Sequence, residues 1–444
     1  TKLNYTHQES LFNDWDRDVL LKQKLSTQGP AMAVGDVNGD GLDDLYLGGA
    51  AGQKKQLFIQ QASGQFKEST QADFNLDQTT ENTDALFFDA DGDKDLDLFV
   101  VTGSNEFDIN APELHDLLYL NDGKGNFKRD LRFPTIFENG SCATAADMDH
   151  DGDLDLFVGS RMLSTKYGMS PSSNLYINDG TGGFKNYSKR FMPEIGELGM
   201  VTDAEWADVN KDGYADLVVA QDWGGIVVFK NERGRKLVKQ EMVPGSEGLW
   251  GCLKPADIDG DGDIDFVAVN FGLNSKIKAS AEFPATLSVN DFDKNGTVEQ
   301  IISCVTEDGK TYPMVLKAEL QRATPVIKQK FIKYKDYANK TVEDLYSDEQ
   351  RDGMVLRQIT TTESAFLIND GKGNFSLQAL PYEAQFSPIR GIEVSDFDHD
   401  GKVDILLAGN FFDSLPEWGR FDAMYGLMLK GLGQGKFVAK RSKD

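Results

Sequence analysis

Asp147-Met-Asp-His-Asp-Gly-Asp-Leu-Asp155 is the stretch whose reading decides the fold. Carboxylates occupy positions one, three and five, Gly152 permits a sharp turn at six, and Asp155 closes the run ahead of apolar Leu156-Phe157-Val158. A hard divalent cation needs several oxygens from a short loop, and alternating carboxylates around a glycine turn supply them. With small changes the run occurs seven times, starting at Asp36, Asp89, Asp147, Asp208, Asp257, Asp291 and Asp396.

Side-chain oxygens are expected at positions one, three, five and nine, with a backbone carbonyl at seven. The ligand sets are then Asp36, Asn38, Asp40, Leu42 and Asp44; Asp89, Asp91, Asp93, Asp95 and Asp97; and Asp147, Asp149, Asp151, Asp153 and Asp155. The next two are Asp208, Asn210, Asp212, Tyr214 and Asp216, and Asp257, Asp259, Asp261, Asp263 and Asp265. The last two are Asp291, Asp293, Asn295, Thr297 and Glu299, and Asp396, Asp398, Asp400, Lys402 and Asp404. Oxygen-only donors favour Ca²⁺ over zinc or copper, and Mg²⁺ demands a tighter, more hydrated octahedron. An EF-hand is excluded, because its bidentate Glu at position twelve is replaced by Leu47 and Val100, both in apolar strand-like runs. Up to seven structural Ca²⁺ are expected, and they would bring the net charge from −26 to −12.

Outward from each run the same unit recurs. In the first, Ala31-Met-Ala-Val34 precedes the acidic loop, Leu45-Tyr-Leu47 follows it, and Gln56 to Lys67 reads as a hairpin around a glycine turn. Further hairpins carry Asn121-Asp-Gly, Asn178-Asp-Gly and Asn369-Asp-Gly. Four short strands per unit of roughly 50 to 60 residues predict an all-β propeller. The expected organisation is an N-terminal arm over 1–30 and a seven-bladed propeller over 31–440, with a helical insertion at 313–348 packed outside blade six. Pro325 would interrupt or start one of its helices.

The acidity argues against nucleic acid and against an anionic membrane surface. No apolar run reaches the length of a membrane-spanning helix. Cys142, Cys252 and Cys304 read as free buried thiols. The chain begins at Thr1 without a signal sequence and is expected to be part of a longer exported protein.

The repeated loops resemble the FG-GAP/VCBS family of calcium-loop propellers, integrin-α-like, over about residues 28–440. Leu25-Ser-Thr-Gln-Gly-Pro30 leading into Gly35 to Gly41, together with Asn290 to Gly296, is similar to the propellers of ASPIC/UnbV-type, cartilage acidic protein-like Bacteroidota surface proteins. That resemblance implies a calcium-stabilised module at the cell surface or outside the cell, associated with the outer membrane. It implies recognition of a protein or glycan, beside an outer-membrane nutrient transporter.

If the metal loops sit at one end of each blade, the loops after the second strands sit at the other. Trp223, Trp250, Phe271 and Trp418 fall there and are the candidate ligand-binding residues. Catalysis would need acid–base groups converging on a cleft. No catalytic residue is singled out and an enzyme is not expected; the alternatives are a lyase-like, polysaccharide-active enzyme or a purely architectural subunit. The four histidines lie in the arm, a connecting loop and two acidic loops. Asp84, Asp203, Glu205 and Glu393, near Arg390 or Lys254, are expected to satisfy a central channel.

Overall fold

Alternating apolar residues on both sides of an acidic turn make two antiparallel strands, and the turn sets their register. In the third unit, Asn139–Ala146 and Asp155–Met162 pair so that Asp155 faces Ala146, the residue just before the loop. The computed structural model describes residues 3–440 and repeats this arrangement through the chain. It is mostly β, with seven antiparallel sheets.

Six of those sheets follow the repeat, the chain moving outward strand by strand. The innermost strands are Met32–Gly35, Asn82–Phe88, Asn139–Ala146, Met200–Ala207, Leu253–Ala256 and Gly391–Ser395. Each packs on the next, from the first sheet to the sixth. The end of the arm and the strands or flanking loops of sheets two to six line one central cavity, in a propeller-like arrangement.

The seventh sheet is not a blade of this series, which corrects the expectation of seven. Blade five is assembled from Leu253–Ala256, Asp265–Ala268, Ala365–Asn369 and Phe375–Ala379, so its second and third strands lie about a hundred residues apart in sequence. The intervening segment forms its own sheet from Ala285–Asn290, Glu299–Val305, Thr311–Pro313 and Val355–Ile359. The acidic loop at Asp291 joins two strands of this inserted sheet. The helical part is correspondingly different from expectation. Five short helices lie between Lys317 and Arg351, within blade five's insertion, and pack on the inserted sheet through Leu320, Ile327, Phe331, Leu345 and Tyr346. Pro325 starts the helix Val326–Lys330.

The inserted sheet and the N-terminal arm cover the end of the propeller away from the acidic loops. Leu21 and Leu25 of the arm share one apolar cluster with Trp223, Leu249 and Phe271 of the blades and with Leu287, Val289 and Ile359 of the inserted sheet. Main-chain bonds from Lys24 N to Asp413 O (2.8 Å) and from Leu415 N to Lys22 O (3.0 Å) tie the arm to blade six. Among the described residues no helix is long and apolar enough to cross a membrane.

Candidate metal loops and central cavity

The acidic loops fold through their own amides. Asp147 accepts from Asp151 N (3.1 Å) and Gly152 N (3.2 Å), and Gly152 takes a φ of 101°, which a Cβ would oppose. The ninth-position carboxylate is a strut. Asp155 Oδ2 accepts from Met148 N (3.2 Å) inside the loop, and Oδ1 accepts from Asn178 N (3.0 Å) at the end of the third strand. Asp44, Asp97, Asp216, Asp265 and Asp404 make the same pair of bonds. Burial pushes four of these carboxyls up, to about 7 for Asp97 and Asp155 and about 6 for Asp216 and Asp265. Glu299 of the inserted sheet is pushed up to about 8.

At least four loops bring three carboxylates together with oxygens within 4.8 Å of one another. These are Asp89, Asp91 and Asp97; Asp147, Asp149 and Asp151; Asp257, Asp259 and Asp265; and Asp291, Asp293 and Glu299. In three of them the third-position oxygen (Asp91, Asp149 or Asp293 Oδ1) is buried without a hydrogen-bond partner, as is Asp95 Oδ1 at position seven. Buried, unpartnered carboxylate oxygens are costly unless a cation meets them. The donor set therefore fits a hard divalent ion. The remaining loops differ. Asn210 turns its amide onto Asp216 (3.1 Å), and Asn38 accepts from Asp40 N (2.9 Å). In the loop at Asp396, the Lys430 ammonium bonds Asp398 and lies 3.1 Å from Asp400.

One group of residues escaped the sequence reading. The Asn opening each Asn-Asp-Gly hairpin donates its side-chain amide to the previous blade's acidic loop: Asn121 to Val37 O (2.7 Å), Asn178 to Ala90 O (2.9 Å) and Asn369 to Val209 O (2.8 Å). Asn231 does the same to Met148 O (2.9 Å). Neighbouring acidic loops are thus linked from blade one to blade five. The signal in the sequence was the hairpin Asn that recurs in four of the six units, which a turn alone does not require.

The candidate ligand aromatics do not form an open platform. Trp223, Trp250 and Phe271 are 1%, 2% and 7% exposed. The arm's Lys22 sits over the rings of Trp223 (5.9 Å) and Phe271 (4.8 Å), so these aromatics hold the chain's own cation. Trp250 donates from Nε1 to Ser246 O (2.5 Å). Trp418 is half-buried, against Leu20, Ile302 and Met314.

Beneath the arm the channel opens into a cavity of about 540 Å³, lined by Gln28, Asp84, Cys142, Asp203, Cys252 and Arg390 among others. Asp84 accepts from Ala85 N (2.9 Å) and from Ala143 N (2.9 Å) of the next blade. Asp203 accepts likewise from Ala204 N (2.9 Å) and Leu253 N (2.7 Å). Burial pushes Asp84 up to about 6 and Asp203 well above the usual range. These acids clasp blades together, as expected of channel residues. Arg161 spans Gln28 Oε1 (2.5 Å) and Asp222 Oδ2 (3.2 Å), while Tyr167 Oη donates to the same Asp222 oxygen (2.7 Å). Lys22 lies 3.8 Å from Asp222 Oδ1. Burial drops Lys22 to about 8; it also works against Asp222, but Lys22 and Arg161 hold that carboxyl below its usual value. Arg390 projects into the cavity over the Phe411 ring (5.1 Å) with no carboxylate of the described residues within ion-pair distance, and burial, then Arg161, lower its pKa. All three cysteines are free; Cys142 is buried, and Cys252 and Cys304 are half-buried.

Residues 36–100 and 208–268 match the FG-GAP-like repeat family. No curated protein sequence matches the chain significantly. Among solved structures, the V. cholerae biofilm matrix protein Bap1 is similar over 99% of this chain and 84% of its own, at 12% identity and a TM-score of 0.37. BBS1N, solved in complex with ARL6DN, covers 88% and 94% at 11% identity and a TM-score of 0.35. The rhamnogalacturonan lyase YesW covers 88% and 75% at 12% identity and a TM-score of 0.31.

Proposed function

We propose that the chain is a calcium-stapled, six-bladed propeller that works outside the cell or at its surface as a recognition module, taking an acidic saccharide into its central cavity. The observation that carries this reading is Arg390, a guanidinium without a carboxylate partner among the described residues, in a cavity lined by the arm and blades two to six. Lys22 and Arg161 share the single Asp222, which leaves Arg390 without a counter-charge at contact distance among the described residues. A sugar carboxylate supplies the missing charge, and a guanidinium fork binds it bidentately. Around it Thr27, Thr83, Ser141 and Asn410 offer the hydroxyl and amide groups that sugar hydroxyls need. Calcium is the ion the oxygen-only loops suit, and loops of this kind fill where calcium is near millimolar, which supports a place outside the cytoplasm.

Binding is favoured over catalysis because Asp84 and Asp203, two of the cavity's three carboxyls, have both oxygens taken by strand amides, and the third, Asp413, accepts from Thr27 Oγ1 (3.3 Å). Presentation of the bound sugar to an outer-membrane transporter is the partner relationship this reading implies. The test is calorimetric titration with di- and trigalacturonic acid in millimolar calcium, with neutral galactose oligomers as the control. Wild type should bind the acidic oligomers, and Arg390→Ala should weaken binding at least about tenfold, the loss of roughly one charge-assisted hydrogen bond. Equal binding of neutral oligomers, or an Arg390→Ala protein that binds as wild type, would sink the proposal.

A further inference from the structure

Away from the acidic loops, the arm brings a different set of ligand atoms to the start of blade two. His7, Glu9 and Glu81 each place one ligand atom within 4.8 Å of the others. Glu81 is fully buried. Its Oε2 accepts from Ala51 N (2.8 Å), but Oε1 has no hydrogen-bond partner; the nearby Gly29 amide exerts only a minor pull. A Cβ at Gly29 would lie 3.3 Å from that Oε1 and 3.4 Å from His7 Cε1, so the free oxygen and the imidazole share one small space.

The hydrogen bonds assign the imidazole's protons. Tyr5 Oη donates its only proton to Gly48 O (2.8 Å), so its contact with His7 Nδ1 (3.1 Å) requires Nδ1–H to be the donor. In a neutral ring Nε2 then carries a bare lone pair, and it points at Glu9 Oε1 only 2.7 Å away. Two lone pairs at that distance repel unless a cation lies between them. The pattern is that of a metal-ligating histidine, with one nitrogen fixed by an oxygen acceptor and the other presented to the ion. The segment is itself held in place, since Gln53 donates to Thr6 O (2.8 Å) and accepts from Gln8 N (3.2 Å).

We propose that His7 Nε2, Glu9 and the free Oε1 of Glu81 form a zinc-class metal site that clips the N-terminal arm to blades one and two. One imidazole and two carboxylates suit Zn²⁺, whereas calcium prefers oxygen alone. When zinc binds, any proton shared by His7 and Glu9 leaves to solvent, and water completes the tetrahedron.

The experiment uses the full chain, stripped by chelator, restored to millimolar calcium so that the acidic loops are occupied, and then titrated with zinc chloride by calorimetry. One zinc per chain is expected. His7→Ala and Glu81→Gln should abolish it, and Tyr5→Phe, which removes the acceptor for Nδ1–H together with the donor to Gly48 O, should weaken it about tenfold. Zinc should also slow proteolysis within the arm of the wild type and not of His7→Ala. If Glu81→Gln fails to fold, His7→Ala, on the arm and outside the blades, still decides. No zinc uptake by the wild type, meaning that a proton alone fills the gap, overturns the proposal. So does uptake that His7→Ala leaves unchanged.

Discussion

The rim and the channel of this protein are both rich in buried carboxylates, and they solve the resulting problem in different ways. In the channel, Asp84 and Asp203 give each oxygen a main-chain amide, one of them from the neighbouring blade, and need no ion. On the rim, Asp91 and Asp149 keep an oxygen buried and without a donor, as Asp293 does in the loop of the inserted sheet. The same side chain is a clasp in one place and a candidate metal ligand in the other, according to whether backbone donors reach it. Counting acids says nothing about which is which; the hydrogen bonds do.

Removing metal should separate the two regions most strongly. EDTA is expected to lower the melting temperature on the order of 10 °C or more, since several sites that bind only the folded state lose their ligand together. A melting curve indifferent to EDTA and calcium would mean that the rim manages without ions, and the contrast with the channel would collapse.

Single substitutions sharpen it. Asp155→Ala removes a strut that accepts two main-chain amides and stands among the third loop's carboxylates, and should cost about 3 kcal/mol in calcium and clearly less in EDTA. Asp84→Ala should cost a similar amount in both conditions, because its partners are amides alone. Chemical denaturation of the two variants with and without calcium checks this; equal calcium dependence would show that the channel acids are coupled to the metal after all.

Within the rim, the loop at Asp396 behaves partly like the channel, because Lys430 already supplies a cation to Asp398 and Asp400. Lys430→Met should free those oxygens and tighten calcium at that loop about tenfold, read by competition with a chromophoric chelator. Lys430 comes from the third strand of blade six, so nothing within the loop's own sequence announces it.

That example marks the limit of what the sequence shows. The repeat, the loop residues and the strand–loop–strand unit are local, and residues such as Asp147 to Asp155 carry them in full. The blade count was not legible, because the Asp291 loop has the same motif whether it joins two blade strands or two strands of an insert. Only the pairing of Phe266 with Leu367 across that insert reveals where blade five resumes. The fate of Trp223 and Phe271 was hidden for a similar reason: what covers them is Lys22, some two hundred residues earlier in the chain. Long-range partners decide exposure, and spacing cannot report them.

The smallest effect concerns Glu205, a channel acid with no main-chain donor to match those of Asp84. Burial pushes its carboxyl up to about 7, Lys254 opposing and Asp84 reinforcing the shift. The unfolded chain releases this proton near its ordinary value of 4.5, while the folded chain holds it to about 7. Between those values the native state binds more protons, so stability falls as pH rises through that window and levels off above it. Glu205→Gln cannot ionise and should lose that fall, gaining on the order of 1–2 kcal/mol relative to wild type at pH 8 and nothing at pH 4. Denaturation midpoints across this range, with calcium held saturating, measure the difference between the two proteins, which cancels the titration of the rim. A constant difference at every pH would mean that Glu205 ionises as freely as a surface acid, and that channel carboxyls without amide partners are not strained by their burial.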